Sequence, residues 1–266
     1  MSMGADKAGN AYWDKTWDEA GLPVPFDPED RTLENTFYIR VHEYLCRLLK
    51  DKKNLSVLEI GCAHSVWPLY FKNYHQAKTD GIDYSETGCA KTRTMWNHQG
   101  LEGRIYCADL FSPPSEMVGK YDLVVSFGVV EHFEDTAACL SACAKFLKPE
   151  AILFTMIPNL SGMLGVFQKH LNRDIYDIHV PLSLRDMHQA HQRAGLPVID
   201  GRYLMSVNLN VLLSGRPAKD LSEKIFRRFL SIPTKIVWAL ERTGLRFPAN
   251  RLTSPYILMA ARPGRH

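Results

Sequence analysis

The sequence predicts an α/β fold built on a mostly parallel sheet, and three observations carry that prediction. Short apolar, β-branched runs alternate with stretches of helical periodicity from residue 55 to 159, the rhythm of strands joined by crossover helices. Leu55-Ser56-Val57-Leu58-Glu59-Ile60 meets Gly61-Cys62-Ala63-His64-Ser65 and passes into Val66-Trp67-Pro68-Leu69, which reads as strand, tight turn and helix start. In doubly wound sheets such a turn lies at the carboxyl edge, where nucleotide-like ligands bind. Asp83 ends the next apolar run, 24 positions beyond Glu59. That is close to the spacing at which an acid closing the second strand grips a ribose diol, through a charge-assisted pair of hydrogen bonds.

The elements follow in order. Residues 1–10 are polar and small and are expected to fray. Tyr12-Trp13-Asp14-Lys15-Thr16-Trp17 is an aromatic cluster ahead of any regular core element, placed either to anchor the N-terminal arm or to fold over a ligand and exclude water. Phe37, Val41, Tyr44, Leu45 and Leu48 give 34–50 a helical stripe that packs on the sheet. Strands are predicted at 55–60, 77–82, 104–108, 121–126 and 151–157, with helices at 66–74 and 85–98. Phe133, Ala137, Leu140, Ala144 and Leu147 recur at helical spacing up to the stop at Lys148-Pro149. Beyond Asn159 the rhythm breaks: 161–181 is an insertion, 184–194 a helix, 197–212 and 254–261 are strand-like, and 219–251 is neither.

Composition bounds the class. The chain has 266 residues, 45% hydrophobic and 23% charged, enough for one large core with or without a cap. The first residues lack the apolar segment of a secretory signal, and no apolar run is long enough to cross a bilayer, so a cytoplasmic location is expected. The six cysteines show neither CxxC nor zinc-ligand spacing and read as free thiols. A net charge of +3 gives no argument for nucleic acid.

The residues quoted above resemble the class I S-adenosylmethionine-dependent methyltransferases of small-molecule type. Val57-Leu58-Glu59-Ile60-Gly61-Cys62 looks like that family's first motif, Asp83 like its ribose acid, and Cys107-Ala108-Asp109-Leu110 like its adenine-contacting segment. Tyr121-Asp122-Leu123-Val124-Val125-Ser126, continuing to Glu131-His132, is similar to its fourth-strand motif. The resemblance implies a Rossmann-like sheet of seven strands with helices on both faces, the last two strands an antiparallel pair. It implies S-adenosyl-L-methionine as cofactor and S-adenosyl-L-homocysteine as product. Residues 1–54 then form an arm and helix over the cofactor site, and 55–266 the methyltransferase domain with lid insertions at about 161–181 and 213–253. The pattern departs from the family at Ala63 and Ser65, which stand where glycines are common. Alanine tolerates positive φ poorly, so the turn must adopt a conformation open to L-residues or hold the cofactor further off. The same glycines are missing for a nicotinamide dehydrogenase, whose pyrophosphate approaches the backbone closely.

The resemblance assigns the cofactor contacts to Tyr12 and Trp17 of the arm, and to Glu59, Gly61, Cys62, Ala63 and His64 of the first turn. It adds Asp83, Tyr84 and Ser85 after the second strand, Asp109 and Leu110 after the third, and Ser126, Phe127 and Gly128 after the fourth. Methyl transfer needs an in-line nucleophile, so positioning and desolvation carry most of it. A hydroxyl acceptor also needs a base, and His132 is the first choice, with His179 second. The segment 126–132 lacks the aspartate cluster of magnesium-dependent members, so no metal is expected.

The acceptor is expected to be a small molecule of specialised metabolism, with a glycan or lipid-linked sugar as the alternative. A cofactor-binding, non-catalytic partner subunit is the reading outside enzymology. Basic residues interleave with apolar ones across 219–251, a pattern for a basic amphipathic helical pair that covers an apolar acceptor or touches a membrane or anionic carrier. A monomer or homodimer fits equally.

Overall fold

The structure, a computed structural model, describes residues 6–213 and 221–264. Seven strands, β1 (Ser56–Ile60), β2 (Lys78–Asp83), β3 (Ile105–Cys107), β4 (Tyr121–Phe127), β5 (Leu147–Pro158), β6 (Val198–Leu204) and β7 (Tyr256–Ala261), form one sheet in the order β3-β2-β1-β4-β5-β7-β6. The first five pair in parallel, and β7 runs antiparallel to both β5 and β6. Chain order runs outward from β1 to β3 on one side and from β4 to β5 on the other. The reversal falls between β1 and β4, and a crevice opens there at the carboxyl ends of the strands.

Alternation along the strands builds two cores. Leu58 and Ile60 of β1, Val124 of β4, Leu153 of β5 and Met259 of β7 face one apolar cluster with Leu140 and Phe146. Val57, Leu123, Val125, Phe154 and Leu258 face the other, with Val41 and Leu45. Period-2 side-chain geometry therefore buries both sheet faces, as crossover helices require.

The helices are α1 (Asn10–Glu19), α2 (Thr36–Leu48), α3 (Trp67–His75), α4 (Glu86–His98), α5 (Thr136–Ala144), α6 (Met163–Leu171), α7 (Arg173–Asp177), α8 (Leu184–Arg193) and α9 (Leu221–Arg242). Pro68 sits in the first turn of α3, where its missing N–H costs nothing. Ser85 caps α4 by accepting from Gly88 N, Asp135 caps α5 by accepting from Ala138 N, and Ser183 with Asp186 forms a capping box on α8.

Several elements depart from the sequence reading. The aromatic cluster lies inside the regular helix α1. Residues 6–9 are not frayed: Asp6 bridges Phe133 and Lys7 N donates to His132 O at 2.9 Å, so backbone pairing holds the arm. Insertion 161–181 folds as α6 and α7. The strand-like stretch 197–212 stops at Leu204 and ends in a 3-10 turn, Leu209–Leu213. In place of a helical pair, α9 is one helix that runs through Pro233. Contacts just beyond the proline hold it, where Thr234 Oγ1 accepts from Leu209 N at 3.0 Å and Trp238 Nε1 donates to Val207 O at 2.9 Å. The start of the predicted 213–253 insertion, with Lys219, lies outside the described residues. Cys62, Cys89, Cys139 and Cys143 are buried free thiols, while Cys46 and Cys107 are exposed ones.

Candidate active site

The turn after β1 shows how Ala63 and Ser65 are accommodated. Its left-handed residues are Gly61, at φ 73°, and His64, at φ 57°, whereas Ala63 and Ser65 are not among the positive-φ residues. Gly61 is irreplaceable on a second count, because a Cβ there would lie 2.4 Å from Val129 Cγ2. Ala63 fits because Gly88 faces it, where an added Cβ would come within 2.5 Å of the Ala63 methyl. Ser65 contributes a group that glycine lacks, its hydroxyl donating to Glu59 Oε1 at 2.7 Å.

This turn forms one wall of a cavity of about 330 Å³ at the crevice between β1 and β4. Asp83 accepts from Ser85 N at 2.8 Å and from Ala63 N at 3.1 Å, so its carboxylate is fixed at the cavity wall. Burial raises its pKa, and those backbone donors oppose the rise. Burial pushes the Glu59 carboxyl up to about 8, with the Ser65 hydroxyl pulling the other way. Leu110 and Phe133 add apolar lining, and Phe37, Tyr38 and Trp67 add an aromatic wall.

Helix α1 lies across this cavity with Trp13 and Trp17 among the lining residues. The two indoles stack at 5.6 Å, Trp17 stacks on His64 at 5.5 Å, and Trp13 meets His132 edge-on at 5.0 Å. Polar contacts set the helix in place. The Lys91 ammonium donates to the carbonyls of Trp17, Asp18 and Ala20 at 2.6, 2.6 and 2.9 Å, and so caps the helix's negative end. The Ser85 hydroxyl donates to Asp14 at 2.5 Å. Asp6, also in the lining, accepts from Trp13 Nε1 at 2.5 Å and from the Tyr84 hydroxyl.

Past β4 the chain turns at Gly128, which has φ 73°, into a short 3-10 helix, Val130–His132. His132 lines the cavity, and its Nδ1 donates to Ile178 O at 2.9 Å. A second link, Val180 N to Glu131 O at 2.7 Å, ties the segment after α7 alongside and brings the His179 ring to 4.4 Å from that of His132. His179 Nδ1 donates to Ile175 O at 2.5 Å. Burial lowers the pKa of His132 and takes that of His179 down to about 4, so both rings are neutral near pH 7. Glu131 is buried behind them, its carboxyl pushed up to about 8 by burial.

Of the residues assigned from the sequence, Trp17, Glu59, Gly61, Ala63, His64, Asp83, Tyr84, Leu110, Phe127, Gly128 and His132 all line this one cavity. Others lie off it. Cys62 turns beneath Gly81, whose added Cβ would meet its sulfur at 2.5 Å. Ser85 is spent on the α4 cap and Asp14, and Tyr12 packs its ring edge-on against Trp13. Asp109 is exposed, and its Oδ1 accepts from Phe111 N at 2.9 Å in a local turn bond. Ser126 is buried in β4 outside the lining, and His179 stands behind His132. Sequence reading missed Asp6, Phe37 and Tyr38 in the wall, since no local pattern marks which residues of a distant segment reach the cavity.

Comparison with known proteins agrees with the geometry. The profile of a methyltransferase-domain family matches residues 34–203. A ubiquinone biosynthesis O-methyltransferase of Caulobacter vibrioides is 32% identical over 107 residues, which take in 40% of this chain and 42% of that protein, less than half of each. Among solved structures, geranyl diphosphate C-methyltransferase of Streptomyces coelicolor A3(2), in complex with Mg2+, geranyl diphosphate and S-adenosyl-L-homocysteine, superposes with a TM-score of 0.59. It is 14% identical, over 95% of this chain and 96% of that one. The [4+2]-cyclase SpnF superposes with a TM-score of 0.60 at 13% identity, over 96% and 92% of the two chains. At such identities the likeness is one of fold. With the family profile spanning more than half its length and the seven-stranded sheet in place, the chain belongs to the methyltransferase-domain family, among the class I S-adenosylmethionine-dependent methyltransferases.

Proposed function

We propose that the chain transfers the methyl group of S-adenosylmethionine to a hydroxyl or amine of a small molecule, with Asp83 holding the ribose and His132 facing the acceptor. The observation that carries this reading is the shared cavity. The acid that ends β2 and the histidine that follows β4 line one space, which Trp13 and Trp17 of α1 also line. In the transfer, the acceptor's lone pair forms a bond to the methyl carbon as the carbon–sulfur bond breaks. The electron pair stays on sulfur, the sulfonium becomes a thioether, and the acceptor loses its proton at the His132 end. Positioning, desolvation and stacked aromatic walls supply most of the rate. A relative that is an O-methyltransferase by name supports oxygen as the acceptor atom.

A specific observation favours an apolar, membrane-presented acceptor over a polar metabolite. Leu221, Ile225, Phe229, Ile232 and Ile236 recur along one face of α9 and are each more than half exposed. Solvated helix faces are normally polar, and a stripe of this size marks a contact surface. Lys224 and Arg228 are exposed beside it, which suits an anionic bilayer. Among the described residues no helix is long and apolar enough to cross a membrane, so the contact would be peripheral.

The reading is tested by S-adenosylhomocysteine release across an acceptor panel that includes apolar phenols. His132→Ala should lower turnover on any accepted substrate by about 10²–10⁴-fold, with cofactor affinity within about twofold. An unchanged rate would remove His132 from the chemistry, and release from no acceptor despite cofactor binding would favour a non-catalytic subunit.

A further inference from the structure

We propose that Glu131, His132 and His179 bind a divalent transition-metal ion, of the zinc class, at the acceptor end of the cavity. The proposal rests on the methyl-transfer reading and deepens it by naming what holds the His132 ring from behind.

The donors are assembled by the fold. One ligand atom from each of the three residues lies within 4.8 Å of the other two, although His179 is 47 positions beyond His132 in the chain. Both imidazoles are oriented as metal-bound histidines are. His132 Nδ1 is held on the Ile178 carbonyl and His179 Nδ1 on the Ile175 carbonyl, which puts the lone pair of each ring on Nε2.

The carboxylate supplies an independent observation. Glu131 is 1% exposed, and neither of its carboxyl oxygens has a hydrogen-bond partner. A buried carboxyl with both oxygens unsatisfied is costly and rare in a folded protein. A cation held between it and the two rings satisfies it.

The chemistry of the set points to the ion. Two imidazoles and one carboxylate suit zinc or cobalt(II) far better than magnesium, which keeps oxygen ligands. Zinc bonds of about 2.0–2.1 Å place tetrahedral donors roughly 3.3 Å apart, so the three side chains draw together on binding. Of the three residues only His132 lines the cavity, so its ring stands between the ion and the acceptor space, and the ion would fix the orientation of that ring. The aspartate cluster absent from 126–132 is thus replaced by a donor set that only the folded chain brings together.

The test is metal binding to the full-length protein after dialysis against EDTA, with ZnCl2 followed by calorimetry and elemental analysis, and CoCl2 by its visible d–d absorption. The proposal requires one equivalent of zinc per chain and a cobalt spectrum of tetrahedral intensity, with Glu131→Gln and His179→Ala each weakening affinity at least tenfold. S-adenosylhomocysteine calorimetry on the same samples reports folding and the cofactor site. Sub-stoichiometric zinc, or equal affinity in both variants, would overturn the proposal while leaving methyl transfer standing. Failure of the metal-loaded wild type to bind S-adenosylhomocysteine would instead overturn the reading beneath it.

Discussion

Helices α1 and α9 both pack outside the sheet, and they are attached in opposite ways. In α1 Trp13 and Trp17 line the cavity, and the helix is tied down by Lys91 on its last carbonyls, by Ser85 on Asp14 and by Asp6 on the Trp13 indole. In α9 only Thr234 and Trp238 are buried, and the apolar stripe faces outward. Rim contacts such as Lys235 to Glu34 at 2.5 Å and Arg242 to Thr32 O at 2.7 Å hold its far end. Exposed pairs of that kind contribute little. On the proposed reading the contrast separates two tasks: the arm closes over the cofactor through directional contacts, and α9 presents a surface to a membrane outside the chain.

Breaking the cofactor side should have the largest effect. Gly61→Val forces a β-branched residue into φ 73° and drives its Cβ to 2.4 Å from Val129 Cγ2. Left-handed strain and overpacking together should cost about 2–5 kcal/mol, read as a lower denaturation midpoint with cofactor binding lost. On the α9 side, paired Ile225→Asp and Phe229→Asp substitutions should leave the midpoint and cofactor affinity in place. Co-sedimentation with phosphatidylglycerol vesicles should fall about tenfold or more, and equal sedimentation of variant and wild type would make the stripe irrelevant to membranes.

A further effect concerns the pH dependence of stability. Glu59 titrates near 8 in the fold against an ordinary value of 4.5, so the native state holds a proton that the unfolded state has already released. Its contribution is complete below pH 4.5 and is lost as pH rises toward 8, with a slope of at most about 1.4 kcal/mol per pH unit. Glu59→Gln, which mimics the protonated side chain, should flatten the fall in unfolding free energy between pH 5 and 8, measured by urea titration. An unchanged slope would place the ionisation elsewhere.

The two sides also differ in how far the sequence discloses them. Leu58 and Ile60 running into Gly61, and Asp83 closing the next strand, are local signals, and the strand-turn-helix geometry they imply is what the fold contains. The left-handed residue at His64 has no such signal, because backbone conformation there depends on the Trp17 stack and on Thr92 Oγ1 accepting from His64 N at 3.1 Å. Asp6 is illegible for the same reason, since its role depends on Phe133 and Tyr84 far along the chain. Asp109 shows the converse. Its position at a strand end reads as a ligand contact, but the residue lies outside the cavity lining, with one carboxylate oxygen accepting a turn bond from Phe111 N. Pro233 normally divides a helix, and only the tertiary contacts of Thr234 and Trp238 reveal that α9 continues.

The central claim, that the β1–β4 crevice under α1 is the cofactor site with Asp83 as its ribose acid, is tested most directly by calorimetric titration of S-adenosylhomocysteine into the wild type and Asp83→Ala. The account predicts one site per chain in the wild type. Loss of two charge-assisted hydrogen bonds, at about 1.5–3 kcal/mol each, should weaken binding by about 100-fold or more in the variant. No binding by the wild type, or equal affinity in the two proteins, would contradict it.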